Sequence, residues 1–267
     1  GNAKNGDGLR CCFYEFHYQP VLDALKAASD RGVDVQIIID AKVNESTDKR
    51  GVFHESFPRE ANLRTIAAVD FPAGKVRKRE AKPNDIQHNK FMVLLRGSSQ
   101  KAKEVWTGST NISRGGIMGQ TNVGHWIRNA DTARKFLDYW NILEADPGSA
   151  EGDDPSTALR KNNAYKDAVV AVQDAPADWQ SIPAGITPLF SPRRGNSLLK
   201  LYATMVDEAE KLACITLAFG INKEFKELLA DNTASSHLAF FLLEKQDKPR
   251  KNATQEFVAL NSKQNVY

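Results

Sequence analysis

The chain is 267 residues long, with 41% hydrophobic and 26% charged residues and a formal net charge of +3 at pH 7. That balance excludes a disordered chain, and no apolar run approaches the roughly 20 residues a bilayer-crossing helix needs. The small positive excess tilts toward anionic partners but is too weak to single out nucleic acid. Three cysteines, two of them adjacent, support neither a disulfide framework nor a zinc site and read as small buried hydrophobes.

Residues 10–16 (RCCFYEF) read as a strand. Pro20 opens a helix over 21–31, in which Val21, Leu22, Leu25 and Ala28 follow a 3.6-residue period, and Gly32 stands where a C-terminal cap belongs. Residues 33–40 (VDVQIIID) form a second strand whose run Ile37–Ile39 suits a sheet covered on both faces. Strand, helix and strand joined by short turns predict a right-handed βαβ unit in a parallel or mixed sheet. The basic run Lys75, Arg77, Lys78, Arg79 and Lys82 reads as a solvated loop, with a secondary role in steering a polyanion toward His88.

Residues 87–111 (QHNKFMVLLRGSSQKAKEVWTGSTN) hold the chemistry. His88-Asn89-Lys90 runs into the apolar strand 91–95, then a turn, and the short strand 104–107 leads into Gly108-Ser109-Thr110-Asn111. Residues i and i+2 of a strand share a face, so His88 and Lys90 are expected to project together, and Ser109 and Asn111 likewise. Gly108 permits close backbone approach. Imidazole, ammonium, hydroxyl and carboxamide from adjacent strands suit a tetrahedral phosphate. Lys90 and Asn111 would hold its oxygens while His88 attacks phosphorus or moves a proton. Phe91 and Trp106 read as core residues, as do His125 and Trp126 after Gly124.

Residues 144–157 (EADPGSAEGDDPST) read as a surface linker and 158–172 as a helix, and Pro183, Pro188 and Pro192 make the chain irregular ahead of the next helix. After that helix over 197–210, which the opening segment lacks, a strand over 212–218, a helix capped by Asn222 and ending at Leu229, and a strand over 237–244 repeat the opening arrangement. This predicts an internal duplication about 200 residues apart, far longer than a solenoid repeat. The expected domains are a first repeat over 1–145, a linker with a helix over 146–185, and the start of a second repeat over 186–267. With the first copy starting abruptly and the second stopping early, the sequence reads as an excerpt of a longer protein.

His88, Lys90, Gly108, Ser109 and Asn111, supported by Gln120-Thr121-Asn122, resemble the signature of the phospholipase D superfamily, H-x-K-x4-D followed by G-S-x-N. The resemblance covers about residues 10–145 and, as the start of another repeat, 186–245. It implies a layered α/β sandwich with a mixed β-sheet in each repeat, and a phosphodiesterase that needs neither metal nor cofactor. One histidine of a motif pair would form a phosphohistidine and the other would protonate the leaving alcohol. His88, Lys90 and Asn111 would be catalytic, while Gly108, Ser109 and Asn122 would bind substrate.

None of His17, His54, His125 and His237 has a lysine two positions on, so the second motif would come from further sequence or another subunit. Two positions depart from the signature. Leu95 stands where aspartate is expected, and Asn122 stands where some relatives place an acid that orients the histidine. The expected substrate is a phospholipid, cleaved at its distal phosphodiester with peripheral membrane contact. The alternatives are a nuclease of the same superfamily acting on DNA or RNA, and a non-catalytic phosphodiester-binding relative.

Overall fold

The computed structural model describes residues 3–80, 86–147, 152–217, 221–230 and 238–243. Two compact units divide the chain: residues 1–174 with 186–193, and residues 175–185 with 194–267.

The first unit opens with β1 (Gly8–Phe13), α1 (Gln19–Asp30) and β2 (Asp34–Asp40), the expected βαβ unit. Gly32 sits at φ +84°, the left-handed conformation that lets the helix end and the chain turn back. A short hairpin, β3 (Ser46–Thr47) and β4 (Phe53–His54), leads to α2 (Arg59–Val69) and β5 (Val76–Arg79). Next come β6 (Lys90–Arg96), β7 (Lys101–Gly108), the single turn α3 (Arg114–Met118), β8 (Gly124–Ile127), α4 (Ala130–Glu144) and α5 (Pro155–Val172). The six long strands form one mixed sheet in the order β5-β2-β1-β6-β7-β8. β5, β2 and β1 run parallel, while β6, β7 and β8 continue antiparallel.

Both faces of this sheet are covered, as the run Ile37–Ile39 implied. Cys11, Ile37 and Ile39 pack with α1 residues Leu22 and Leu25 on one face, and Cys12, Ile38 and Phe91 pack with α4 residues Phe136, Tyr139 and Trp140 on the other. Tyr165 and Val169 of α5 and Phe190 belong to that second cluster, so the helix expected in a linker is part of the first unit's core. Its apolar stripe had no surface of its own to cover and docks on α4. Asp154 caps it, accepting hydrogen bonds from the backbone N–H groups of Ser156 and Thr157.

Four expectations need correction. The basic run includes a strand: β5 is a sheet edge, Arg79 is buried beside Asp146 at 2.6 Å, Lys75 pairs with Asp34 and Arg77 with Glu144. His125 and Trp126 are exposed rather than in the core, because β8 is the opposite edge. There the Trp126 indole donates to Glu104 at 2.7 Å and stacks under Arg128. Cys11 and Cys12 are buried as expected, whereas Cys214 is exposed. Gly108 serves the sheet: a Cβ there would lie 2.0 Å from the Val123 carbonyl oxygen, so the close approach it permits is that of β8.

The second unit contains α6 (Ser197–Asp207), β9 (Leu212–Leu217), α7 (Lys223–Ala230) and β10 (Leu238–Leu243), with β9 and β10 parallel. The Asn222 side chain accepts from the Glu224 N–H at the start of α7, the cap the sequence suggested. Residues 218, 237 and 244 of the expected strands lie outside the described residues.

Candidate active site

Pairing of Phe13 with Lys90 sets the C-terminal end of β1 beside the start of β6, with Asp40, the last residue of β2, alongside. Ligands of open α/β sheets gather at such strand ends. The segment before β6 is pinned by Gln87, which is fully enclosed. Its N–H donates to the Asp40 carboxylate at 2.9 Å, its side-chain amide donates to the Phe13 carbonyl at 2.7 Å, and its Oε1 accepts from the Asn89 N–H at 2.9 Å. Held on both sides, His88 is exposed while Lys90 is buried. The Lys90 ammonium returns to His88, 2.9 Å from Nδ1 and 2.8 Å from the carbonyl oxygen. Tyr14 packs on both, its ring 4.4 Å from the imidazole and 5.1 Å from Lys90 Nζ.

Asn111 arrives by a different route. After β7 the chain forms an isolated bridge between Phe16 and Ile112. Ile112 N–H donates to Glu15, and the Ile112 carbonyl accepts from His17 and Tyr18. That pairing brings the Asn111 amide to the Glu15 carboxylate at 2.9 Å, with Asn111 buried and its Oδ1 without a hydrogen-bond partner among the described residues. Ser109, by contrast, is exposed. Its hydroxyl donates to Asn122 Oδ1 at 3.0 Å and accepts from the Val123 N–H at 2.9 Å, while the Asn122 amide is spent on the Gly116 carbonyl and Gln120. Ser109 and Asn111 therefore leave the strand in different environments rather than sharing one face, because β7 ends at Gly108. The hydrogen bonds of Asn122 hold its own loop. Leu95, at the position where the signature has aspartate, is a core residue.

Electrostatics distinguish the two basic groups. Desolvation of the His88 ring is the larger cause, and the neighbouring Lys90 ammonium the second, of a pKa pushed down to about 4; Glu15 acts the other way. Burial likewise lowers Lys90 to about 8, against the pull of Glu15. Glu15 is held below the ordinary carboxylate range, first by His17, whose Nε2 lies 3.7 Å away, and then by Ser113. At pH 7 the site thus holds a neutral imidazole, an ammonium and a carboxylate. Sequence reasoning missed Glu15 and Gln87. The only signal for Glu15 was an acid interrupting an aromatic strand run, and Gln87 carried none beyond its place before His88.

A cavity of about 520 Å³ opens beside His88, walled also by Asn89, Tyr139, Asn162, Lys166 and Arg193. Asn89 and Tyr139 are hydrogen-bonded to each other across its wall, and the Tyr139 hydroxyl donates to the Ser191 carbonyl at 2.7 Å. Among the described residues no group of three or more His, Cys, Asp or Glu could hold a metal ion, and no helix is long and apolar enough to cross a membrane.

A family model described as cardiolipin synthase, PLD-like domain, matches residues 2–143, more than half of the chain. The chain belongs to the phospholipase D superfamily. Its α/β fold with a mixed sheet is that of the superfamily's phosphodiesterases. Among solved structures, the phospholipase D family member Nuc from Salmonella typhimurium is 26% identical, over 54% of this chain and 82% of its own, with a TM-score of 0.39. NucT from Helicobacter pylori is 18% identical, over 52% and 79%, with a TM-score of 0.36. Polyphosphate kinase from Porphyromonas gingivalis is 12% identical, over 91% and 34%, with a TM-score of 0.48. No curated protein matches the chain.

Proposed function

We propose that this phospholipase D-superfamily chain hydrolyses phosphodiesters through a phosphohistidine on His88, with phospholipids as the substrate class. The observation that carries the mechanism is the contact between Lys90 Nζ and His88 Nδ1 at 2.9 Å; partial desolvation of the ring and the ammonium beside it both push the histidine's pKa down. A nucleophilic imidazole must be neutral, and a lowered pKa favours the neutral form. A general acid would need the opposite shift, which favours His88 as the nucleophile, with the acid supplied by a second motif from further sequence or another subunit.

While Lys90 donates to Nδ1, the imidazole proton resides on Nε2 and that nitrogen has no lone pair to offer. A phosphate drawing the Lys90 N–H groups onto its oxygens frees Nδ1, and exchange with solvent water moves the ring proton from Nε2 to Nδ1. Nε2 then attacks phosphorus, forming the N–P bond as the P–O bond to the leaving alcohol breaks, and the second motif's acid protonates that alcohol. Water completes the cycle: the second motif's conjugate base takes its proton as the O–P bond forms and the N–P bond breaks, returning neutral His88. Lys90 and the Asn111 amide, oriented by Glu15, stabilise charge on the phosphoryl oxygens. Ser109 at the loop edge supplies a further hydroxyl.

No step requires a metal ion. With a second H-x-K motif supplied, choline release from phosphatidylcholine vesicles should proceed in EDTA. A strict divalent-metal requirement at the chemical step overturns the mechanism. Cleavage of DNA under the same conditions, with phosphatidylcholine untouched, replaces the lipid reading by the nuclease one.

A further inference from the structure

Helix α2 encloses a polar side chain where a helix ordinarily buries an apolar one. Of its residues only Asn62 is fully buried, while Leu63, Ile66 and Val69 pack against the core and stay partly exposed. Burying an amide is tolerated only where its hydrogen bonds are met, and Asn62 meets them entirely with backbone. Its Oδ1 accepts from the Phe16 N–H at 2.6 Å. Its Nδ2 donates to the carbonyls of Tyr14 at 2.9 Å and Asp40 at 3.2 Å. One N–H and two carbonyls admit a single orientation of the amide.

Tyr14 and Phe16 flank Glu15, and residues 14–17 run between the two parts of the signature. Toward His88 and Lys90, the Tyr14 N–H donates to the Asn89 carbonyl at 3.0 Å and the Tyr14 ring packs on both side chains. Toward Asn111, the Glu15 carbonyl accepts from the Ile112 N–H at 3.1 Å, and the Glu15 carboxylate accepts from the Asn111 amide at 2.9 Å. β1 has ended at Phe13, so apart from the isolated bridge at Phe16 no ladder fixes this segment. Its backbone groups must find their partners elsewhere, and Asn62 supplies two of them. In an extended segment a slip of one residue turns every side chain to the other face. Such a slip would take Glu15 from Asn111 and Tyr14 from His88 together.

We propose that Asn62 is a positioning residue of this site: from α2 it fixes residues 14–16, so that Tyr14 meets His88 and Lys90 while Glu15 meets Asn111. Its own hydrogen bonds go to none of the groups that hold the phosphate, and it acts through Tyr14 and Glu15. This rests on the reading of His88, Lys90 and Asn111 as the phosphate-binding groups, and it adds the residue behind them that sets their spacing.

Two variants of the full chain separate positioning from stability. Asn62→Ala removes the three bonds. Leu63→Ala, at the next residue of α2, removes apolar packing and leaves them in place, so both should lower the melting temperature. NMR then reads the site itself. The Asn111 side-chain amide protons report the contact with Glu15, and the His88 ring signals carry the ring-current shift of Tyr14. Asn62→Ala should move both sets of signals. It should also weaken orthophosphate binding, followed on the His88 signals at pH 7, by at least about tenfold, the equivalent of one charge-assisted contact. Leu63→Ala should leave both sets in place and the affinity within about twofold. Should Asn62→Ala fail to fold, Asn62→Ser, whose vacated volume admits a water to the freed backbone groups, is measured by the same criteria. Unmoved Asn111 and His88 signals in the Asn62 variant, an affinity within about twofold of the wild type, or a loss equal to that in Leu63→Ala overturns the proposal. If orthophosphate fails to move the His88 signals of the wild type, the reading of His88 as the phosphate site falls instead. The Asn111 amide and His88 ring signals of the Asn62 variant then still decide whether Asn62 positions Glu15 and Tyr14.

Discussion

The two βαβ units of this chain are built from the same local pattern and end in different states. In the first, β1 and β2 are buried on both faces: Cys11 and Cys12 are equally inaccessible, one under α1 and the other under α4. In the second, Ile215 and Phe241 pack with α6 and α7 residues Ala203 and Phe225, while Leu212, Phe240 and Leu242 on the other face are exposed. The strand residues 238–243 (LAFFLL) form as continuous an apolar run as β2 does. Such a run shows that a strand can be covered twice; whether it is covered depends on layers contributed from far along the chain. In the first unit those layers are α4, α5 and the segment around Phe190, and the same elements wall the cavity beside His88. Double coverage and the site have one origin.

The largest test of that asymmetry is chemical. His88→Asn keeps much of the ring's shape but removes the proposed nucleophile, and should lower the proposed phosphodiesterase rate by at least about three orders of magnitude. Lys223→Ala, on the exposed surface of α7 in the second unit, should leave it unchanged. Comparable activity in the two variants means the site has been placed in the wrong unit. Stability gives the next largest contrast. Phe91 is packed between Phe136 and Tyr139, and Phe91→Ala should cost about 3–5 kcal/mol in urea unfolding. Phe240→Ala, at a position 51% exposed, should stay within about 0.5 kcal/mol. A large loss at Phe240 would show that the second unit's open face is covered in solution.

Much of this was legible in the sequence, for reasons that differ by element. The βαβ units declared themselves by period and by Gly32, and the motif by residue types that strands bring together at short range: His88 and Lys90 do touch. What stayed hidden depended on long-range pairing. Nothing local tells that residues 15–18 pair with Ile112, so the Glu15 carboxylate beside Asn111 was invisible. The exposure of Trp126 comes from β8 being an edge, which is a property of strand order and not of its residues. Arg79 looked like one cation in a solvated run because its partner, Asp146, lies 67 positions away. Gln87 is the clearest case, a polar residue with no periodicity whose role appears only once Phe13, Asp40 and Asn89 surround it. Gln87→Leu should cost about 1–3 kcal/mol, since it leaves the Phe13 carbonyl and the Asn89 N–H without partners. It should also lower kcat more than it raises KM, because His88 loses its bracing while the phosphate-binding groups remain. Loss of stability with kcat intact would make Gln87 a core residue only.

The smallest effect is on pH dependence, and its sign is fixed. His88 titrates near 4 in the folded chain and near 6.5 when unfolded, so between those values the unfolded state binds more protons. Stability contributed at this position therefore rises with pH from about 4 to about 6.5 and is level on either side. Lys90 behaves likewise in a higher window, from about 8 in the folded chain to about 10.4 unfolded. Carboxylates titrate in the lower window too, so the quantity to measure is the difference in urea midpoint between the wild type and His88→Asn as a function of pH. That difference should move in favour of the wild type as pH rises through the lower window. Removing His88 also takes one neighbouring group from Lys90 without restoring its hydration, which is the larger cause of its shift, so the slope in the upper window should persist. A flat difference across the lower window would mean that His88 keeps an ordinary pKa, and with it the neutral nucleophile would lose its electrostatic basis. No such slope is expected from the second unit, where β9, α7 and β10 carry no histidine among the described residues.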